Sequence, residues 1–259
     1  MRKRIRENSD IISKLNPMIQ TIITHTCPDC GSTDIVRNGH DYKGDQKFHC
    51  KNCNRYGTLN AQKGYQRKRR EQVKRAVLER VSLRGIGRIF NMSRHTVSRW
   101  LRQWLQEAPP IEDTLYPMQW GDVLELDELW SFVGNKSQKR WLWLALCRRT
   151  RQVVAYWLGD RSEASAICLW QRLPREYKRC ASFSDQWKAY RHVFDVRKHQ
   201  MVDKKSGETN HVERWFNTLR QRLARFTRKT LSFSKRDDMH EGVLRLFIRH
   251  YNSTCISQH

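Results

Sequence analysis

The stretch Asp122-Val-Leu-Glu-Leu-Asp-Glu-Leu-Trp-Ser-Phe-Val133 decides the fold. Its many apolar residues predict a largely buried β-strand, either continuous or turning into a second strand. Glu125, Asp127 and Glu128 nevertheless lie inside this stretch. A buried carboxylate is unfavourable unless it is paired or binds a metal ion. The stretch is therefore either half exposed, with its acids in water, or one part of a metal site.

Two further acids occur downstream in settings that suit a shared site. Asp185 follows a short strand predicted at residues 181–184 and precedes a helix-like run at residues 186–194. Glu213 lies on a predicted helix. The apolar residues of that helix recur every three or four positions and define one face, formed by Val212, Phe216, Leu219, Leu223 and Phe226. A carboxylate at the edge of this face is expected to point at the strand ends that carry the other acids.

Carboxylates from two strands and one helix suit a hard divalent cation. Mg²⁺ prefers oxygen ligands and is usually held by one or two carboxylates together with water and substrate phosphate. Two such ions, about 3.5–4 Å apart, stabilise both the attacking and the leaving oxygen at phosphorus. Asn217 and Arg220 share the helix edge with Glu213. This shared edge favours contact with DNA phosphates over simple exposure to solvent.

Three short segments surround the three acids. They read Leu126-Asp-Glu-Leu-Trp130, Phe183-Ser-Asp-Gln-Trp187 and Asn210-His-Val-Glu-Arg-Trp-Phe-Asn217. In this order, and together with a basic segment at residues 225–235, they resemble the insertion-sequence-one family of bacterial transposases, within the DDE transposase and integrase superfamily. The resemblance extends over nearly the whole chain. It implies an RNase H-like α/β catalytic domain whose catalytic, Mg²⁺-binding (or Mn²⁺-binding) residues are Asp127, Asp185 and Glu213.

Other acids compete with these three. The competitors are Asp122, Glu125, Glu128, Asp195, Asp203 and Glu208. The first three are neighbours of Asp127 along one strand, where side chains alternate between faces, so we expect them to face the other way. Asp195 and Asp203 have no predicted strand before them, and Glu208 is expected to serve the N-terminus of the following helix. His211 is either a surface residue or a helper near the metal ions.

Two Cys-x-x-Cys pairs near the N-terminus predict a structural zinc site. The four thiols belong to Cys27, Cys30, Cys50 and Cys53, a spacing that is typical of a zinc ribbon. Gly31 and Asn54 follow the two pairs, where a tight turn is needed. His25 and His49 are alternative ligands, although four cysteines suffice. A ribbon of this size has too little apolar burial to fold alone, so zinc binding is expected to supply its folding free energy.

The next segment is rich in Lys and Arg and predicts a helix-turn-helix. Asn91 lies where a left-handed turn residue is needed, and Ser93 is a good N-cap for the helix that follows. The exposed start of that helix offers a set of side chains to a DNA major groove, namely Arg94, His95, Ser98 and Arg99. A three-helix packing unit without DNA binding is the alternative, but the charge of the segment favours DNA.

The overall charge predicts a polyanionic partner. The formal net charge is +24 and the isoelectric point is about 10.2, which favours nucleic acid over an anionic membrane surface. The sequence lacks an apolar run of the length of a transmembrane helix, and its basic start does not follow the pattern of a signal peptide. We therefore expect a cytoplasmic, nucleoid-associated protein with reduced cysteines.

Together these patterns predict an α+β multidomain protein. Its expected parts are a basic arm at residues 1–24, a zinc ribbon at 25–60, a helix-turn-helix at 63–107, a Pro-rich linker at 108–118 and a catalytic domain at 119–259. The last part reads β-β-β-α-β-α, which is compatible with an RNase H-like sheet. The predicted function is a DNA transposase that binds terminal inverted repeats and then cuts and joins strands, as a homo-oligomer on double-stranded element and target DNA. A non-catalytic DNA-binding regulator and a metal-dependent nuclease are the alternatives.

Overall fold

The computed structural model describes residues 23–42, 44–59, 62–195 and 197–256. The basic arm predicted at residues 1–24 therefore lies almost wholly outside the described residues. The chain divides between Lys68 and Arg69 into two compact units, each with its own internal packing.

The first unit contains a small antiparallel sheet. Its strands are β1 (Ile35–His40), β2 (Gln46–Cys50) and β3 (Tyr56–Thr58), with β2 in the middle. Gly31 and Asn54 adopt positive φ angles of 75° and 58°. These angles confirm the tight turn that was predicted after each cysteine pair, because this backbone region favours glycine and asparagine over most other residues.

Three helices follow. They are α1 (Gln62–Val77), α2 (Leu83–Ile89) and α3 (Arg94–Glu107). The Ser93 hydroxyl accepts a hydrogen bond from the amide of Thr96 at 3.1 Å, which confirms the predicted N-cap. Asn91 has a φ angle of 45°, as expected for the turn between α2 and α3. The sequence thus identified both residues that fix the start of α3.

A mixed five-stranded sheet forms the centre of the second unit. Its strands are β4 (Val123–Phe132), β5 (Lys139–Cys147), β6 (Val153–Gly159), β7 (Ala181–Ser184) and β8 (His199–Met201). They are arranged in the order β6-β5-β4-β7-β8. The first three are antiparallel, whereas β7 and β8 run parallel to β4. Residues 123–132 therefore form one continuous strand, β4, whereas the short edge strand β8 was not predicted.

Three longer helices complete this unit. They are α4 (Glu163–Arg172), α5 (Asn210–Arg222) and α6 (Asp237–Ile256). The sequence pattern did not predict α6. Cys255, near the end of this helix, is buried. Burial of one face of α6 against the sheet and α5 supplies the order that the local sequence does not signal.

Two helical predictions were too long. Residues 186–194 form only a short 3₁₀ helix, Lys188–Tyr190, followed by turns. The Asp185 carboxylate accepts a hydrogen bond from the amide of Trp187 at 3.0 Å, which favours a turn over a helix. The stripe predicted to run to Phe226 also spans two elements, because α5 ends at Arg222. Phe226 is still buried, stacked on His240 with ring centroids 4.3 Å apart.

The helix-turn-helix packs directly on the sheet, α5 and α6 within the second unit. Apolar residues of α1, α2 and α3 share one core with the sheet, α5 and α6. At this contact a Cβ added to Gly242 would lie 2.5 Å from Cδ1 of Leu105. Within the predicted linker, Ile111 and Thr114 are buried, and Asn252 of α6 donates a hydrogen bond to the Thr114 hydroxyl at 2.9 Å. Residues 108–118 are thus a packed connection.

Candidate active site

The sheet brings two of the predicted acids to one open edge. Pairing between β4 and β7 ends at Leu126 and Ser184. Asp127 directly follows the last residue of β4 that pairs with β7, and Asp185 directly follows the last residue of β7 that pairs with β4. Their carboxylates therefore lie at the same edge of the sheet. Helix α5 packs on β4 and contributes Glu213. Asp127, Asp185 and Glu213 all line one cleft.

The same cleft contains the predicted DNA contacts on α5. Asn217 and Arg220 line it beside Glu213. Burial, and then the nearby Arg228, lower the pKa of Arg220 from its ordinary value. Arg161 and Arg228 add two more guanidinium groups to the lining. The cleft therefore places carboxylates next to guanidinium groups.

Glu128 belongs to this site, contrary to the prediction that it faces away. Oxygen atoms of Asp127, Glu128 and Asp185 all lie within 4.8 Å of one another. Because β7 ends at Ser184, the flank of β4 is open from Asp127 onward, and neighbouring side chains converge there despite their alternation. The Glu128 side chain is only 1 % exposed.

The surroundings of Glu128 disfavour its negative charge. Burial, followed by the charges of Asp185 and Asp127, raises the pKa of Glu128 to about 8. Its Oε1 atom has no hydrogen-bond partner among the residues that the structure describes. The nearest cationic group is Arg161, whose Nη2 lies 3.8 Å from Oε2. A buried carboxylate oxygen without a partner, beside two other carboxylates, fits a place where a divalent cation binds.

Arg161 is held between two indole rings. Its guanidinium carbon lies 4.6 Å from the ring centroid of Trp141 and 4.1 Å from that of Trp187. Such stacking orients the plane of the guanidinium. Neither Glu128 nor Arg161 was predicted to belong to this site. Glu128 was rejected on strand alternation, and no sequence pattern relates Arg161 to rings that lie 20 and 26 residues away.

Glu125 and Glu208 also differ from expectation. Glu125 has the same parity as Asp127 along β4, so it faces α5. Its carboxylate accepts hydrogen bonds from the first amides of that helix, at His211 and Val212. Glu208, which was predicted to serve the helix N-terminus, pairs instead with Arg148 at 2.7 Å. The helix end is thus bound by an acid from the neighbouring strand because that acid is fully buried and needs donors.

The other competing acids lie outside the cleft. Asp122 pairs with Arg149 at 2.6 Å. Asp195 and Asp203 bind amides of their own turns, at Arg197 and Lys205. Asp195 and Asp203 thus accept hydrogen bonds from local backbone amides, which is the common role of aspartate in turns.

The four N-terminal cysteines form a compact thiol cluster. Their sulfur atoms all lie within 4.8 Å of one another, with 3.6 Å between Cys27 and Cys53 and 3.6 Å between Cys30 and Cys50. Four thiolates at about 2.3 Å from a tetrahedral zinc ion are about 3.8 Å apart, so the cluster fits zinc. Amide hydrogen bonds from Cys30 and then Asp29 lower the pKa of the Cys27 thiol to about 6.

His49 is not needed as a zinc ligand. Its Nε2 atom lies 2.7 Å from Oδ1 of Asn54, and its ring stacks on Tyr56 with centroids 4.0 Å apart. His25 lies near Phe48, with ring centroids 6.4 Å apart. These contacts favour the four-cysteine ligand set over the alternatives that include histidine.

The predicted DNA-reading residues lie at the start of α3. Arg94, His95 and Arg99 are exposed, and Ser98 is half-buried. On the opposite face of the helix Val97 and Leu101 are buried in the core. The helix therefore presents its polar N-terminal surface outward, as a recognition helix does.

Comparison with known proteins identifies the family. A family model described as "IS1 transposase" matches residues 123–253, which is half of the chain. The chain belongs to the IS1 transposase family. Models described as "InsA N-terminal domain" and "Homeodomain-like domain" match residues 21–54 and 65–110. The zinc ribbon and the helix-turn-helix thus precede the family's transposase region in the predicted order.

Several insertion-element proteins are similar to this chain. "Insertion element IS1 protein InsB" of Shigella flexneri is 38% identical over 129 residues, which are 49% of this chain and 95% of that protein. "Insertion element iso-IS1n protein InsB" of Shigella dysenteriae is 37% identical over 128 residues, 49% of this chain and 93% of that protein. "Insertion element IS1 4 protein InsB" of Escherichia coli K12 is 37% identical over 129 residues, 49% of this chain and 75% of that protein. In the described part of the IS1-family chain, every helix is too short or too polar to cross a membrane.

Proposed function

We propose that this IS1-family chain is a DNA transposase that binds the terminal inverted repeats of an insertion sequence and catalyses metal-dependent strand cleavage and strand transfer. One observation carries the proposal: Asp127, Asp185 and Glu213, which are distant in sequence, line a single cleft beside basic side chains. A regulator that only binds DNA has no need of this arrangement.

Asp127, Asp185 and Glu213 would hold two Mg²⁺ or Mn²⁺ ions. Bound divalent cations supply activation of water or a DNA 3′-hydroxyl and stabilisation of the leaving oxygen. The cluster fits such ions because crowded carboxylates repel one another and the buried Oε1 atom of Glu128 has no hydrogen-bond partner among the described residues. Within the described residues we assign no side chain as a covalent nucleophile, since none of the proposed steps requires one.

The basic side chains of the cleft position the DNA. Arg161, Arg220 and Arg228 bind phosphate oxygens next to the reacting bond, and Asn217 contributes a neutral hydrogen-bonding group. Arg161 is suited to this role because its stacking between two indoles orients the guanidinium before DNA arrives. The net charge of +24 draws the rest of the DNA toward the protein.

The remaining parts select the DNA. Arg94, His95, Ser98 and Arg99 on α3 would read bases of the element ends, and a zinc ion on the four cysteines would hold the ribbon folded. The catalytic part, residues 119–259, is proposed to be RNase H-like, which three antiparallel strands followed by a helix and parallel strands support. A homo-oligomer is expected on paired element ends, and the site of action is nucleoid DNA.

The test measures cleavage and joining of a labelled element end in Mg²⁺, with a gel-shift on the same DNA. Asp127→Asn, Asp185→Asn and Glu213→Gln should each abolish cleavage and joining but leave binding intact, because they remove negative charge without changing shape. Asp122→Asn is the matched control, since Asp122 is a buried acid at the start of the same strand. Cleavage retained by one site variant removes that residue from the triad. Wild-type protein that binds without cutting favours the regulator, and cutting without joining favours a nuclease.

A further inference from the structure

A cluster of side chains around the buried Glu125 carboxylate touches all three elements that carry or precede the proposed catalytic acids. Glu125 precedes Asp127 on β4 by two residues, and Phe183 precedes Asp185 by two. His211 stands in the same relation to Glu213 on α5. We call Glu125, Arg148, Phe183 and His211 the Glu125 cluster. Its members meet through direct contacts rather than through sequence neighbourhood.

The Glu125 carboxylate binds the start of α5. Its Oε2 atom accepts hydrogen bonds from the backbone amides of His211 at 2.9 Å and Val212 at 3.2 Å. Its Oε1 atom accepts from Nδ1 of His211 at 2.6 Å, and the side chain is 0% exposed. The N-cap residue Thr209 makes no side-chain capping bond. The carboxylate from β4 therefore replaces the usual cap and meets the positive end of the helix dipole.

Arg148 connects this carboxylate to the other elements. Its Nε donates to Oε1 of Glu125 at 2.8 Å, and its Nη2 donates to the backbone oxygen of Glu208 at 2.8 Å. The guanidinium carbon lies 5.1 Å from the ring centroid of Phe183 on β7. One cation thus contacts β4, β7 and the segment that leads into α5.

We propose that Glu125 is a positioning residue that holds Glu213 against Asp127 and Asp185. This inference rests on the proposed function, because it assumes that these three acids bind cations. Strand residues two apart share a face, and the first turn of α5 separates His211 from Glu213 by only two positions. A shift at the helix start therefore moves Glu213 directly. Metal ligands tolerate little displacement, so the carboxylate that fixes the helix also sets the cation affinity.

The ordinary explanation is a buried ion pair that only stabilises the fold. The chain offers a matched control for it. Asp122 is 1% exposed at its side chain and accepts hydrogen bonds from Arg149 at 2.6 and 2.8 Å and from the amide of Gln119 at 2.8 Å. It resembles Glu125 in burial, in its arginine partner and in its place near β4. Its bonds reach Arg149 and Gln119 and not the helix that carries Glu213.

The experiment compares full-length Glu125→Gln and Asp122→Asn with the wild type. Mn²⁺ binding is measured by electron paramagnetic resonance, cleavage of a labelled element end is measured across Mg²⁺ concentrations, and thermal unfolding is recorded without metal. Both variants should unfold at lower temperature. Only Glu125→Gln should weaken Mn²⁺ binding and raise the Mg²⁺ concentration for half-maximal cleavage, each by about 10- to 100-fold.

A second variant, Arg148→Lys, tests the proposal if Glu125→Gln does not fold. Arg148→Lys keeps the charge but lacks the fork that spans Glu125 and Glu208, so a smaller shift in the same direction is expected. Equal metal affinity in the wild type and in every folded variant of the cluster overturns the positioning role and leaves the proposed function intact. Wild-type protein that binds Mn²⁺ but never cleaves overturns the proposed function instead. The Mn²⁺ titration then decides the positioning role alone.

Discussion

Carboxylate oxygens of Glu128 and Asp185 lie within 4.8 Å of each other, although Glu128 lies on β4 and Asp185 directly follows β7. The Asp127 carboxylate belongs to the same group. Ionisation of all three acids at this separation is unfavourable without a cation between them, and together with burial this raises the pKa of Glu128 to about 8. The unbound protein is therefore under electrostatic strain at the place where the sheet opens.

Glu128→Gln should relieve this strain. Without metal, the variant should unfold at a temperature about 2–4 °C higher than the wild type if it gains about 1 kcal/mol, because folding no longer has to protonate a buried carboxyl whose pKa is raised to about 8. Addition of Mg²⁺ should then stabilise the variant less than the wild type. Thermal unfolding in a chelator and in Mg²⁺ checks both statements, with Glu163→Gln on the surface of α4 as the control. Equal metal-dependent stabilisation would exclude Glu128 from the cation site.

Zinc should be bound by the four N-terminal cysteines at about one ion per chain. Cys27→Ser should lose the ion and unfold the ribbon, because the metal supplies most of the folding free energy of so small a unit. Metal analysis and circular dichroism give the result. Cys168→Ser, on α4 and half-buried, should keep the zinc. A full zinc content in Cys27→Ser would contradict the ligand assignment.

Arg94→Ala and Arg99→Ala should weaken binding to element ends more than binding to random DNA. A side chain that contacts a base contributes about 1–3 kcal/mol of discrimination, whereas a phosphate contact affects all sequences alike. Arg88→Ala, on the exposed side of α2, is the control for loss of charge. Gel-shift titrations on both DNAs measure the ratio of affinities. Equal losses on the two DNAs would assign these arginines to phosphates.

The protein should lose stability in mild acid through His240. This ring is hydrogen-bonded to Ser131 and Ser234, and burial, with Arg225 nearby, lowers its pKa to about 4. Between pH 6.5 and 4 the unfolded chain takes up a proton that the folded protein does not, so the free energy of unfolding falls as the pH falls. At about pH 5 the loss from this one residue is about 2 kcal/mol.

Denaturant unfolding of His240→Gln at about pH 7.5 and about pH 5 tests this linkage. The variant should be less stable at the higher pH but lose about 2 kcal/mol less than the wild type on acidification. Ser234→Ala is the control, since it removes a partner of the ring without removing the titrating group. An unchanged pH dependence in His240→Gln would place the acid sensitivity elsewhere.

Gly242→Val should separate the helix-turn-helix from α6. A branched side chain at this position overlaps Leu105, and overpacking of this kind costs about 1–3 kcal/mol. Thr254→Val places the same side chain on an exposed turn of the same helix and should be nearly neutral. Thermal unfolding gives the loss, and limited proteolysis near residues 108–118 shows whether the connection opens. Equal stability of the two variants would contradict a tight contact.

The sequence predicted those features that depend on local chemistry. The turn at Asn91, the cap at Ser93 and the strand at residues 181–184 follow from short-range preferences, and each is present in the structure. The three short segments that resemble the transposase family also led to the three acids that line the cleft. These features have signals within a few residues of the groups that they position.

The sequence did not predict what depends on contacts between distant segments. The roles of Glu125 and Glu208 were misjudged because the capping carboxylate of α5 lies more than 80 residues before that helix. Strand β8 and helix α6 have weak local patterns and are ordered by the surfaces they cover. The position of Glu128 depends on where the neighbouring strand β7 ends. The alternation of side chains along β4 does not predict that end point.

The packed contact between α3 and α6 fixes the distance and the orientation between α3 and the cleft. Under the proposed function, binding of α3 to its bases would hold the cleft at one set separation and one rotational phase along the duplex. The number of base pairs from the bound sequence would then decide which bond is cut. An insertion of about five base pairs between them would turn that bond to the far side of the double helix, because B-DNA repeats about every 10–10.5 base pairs.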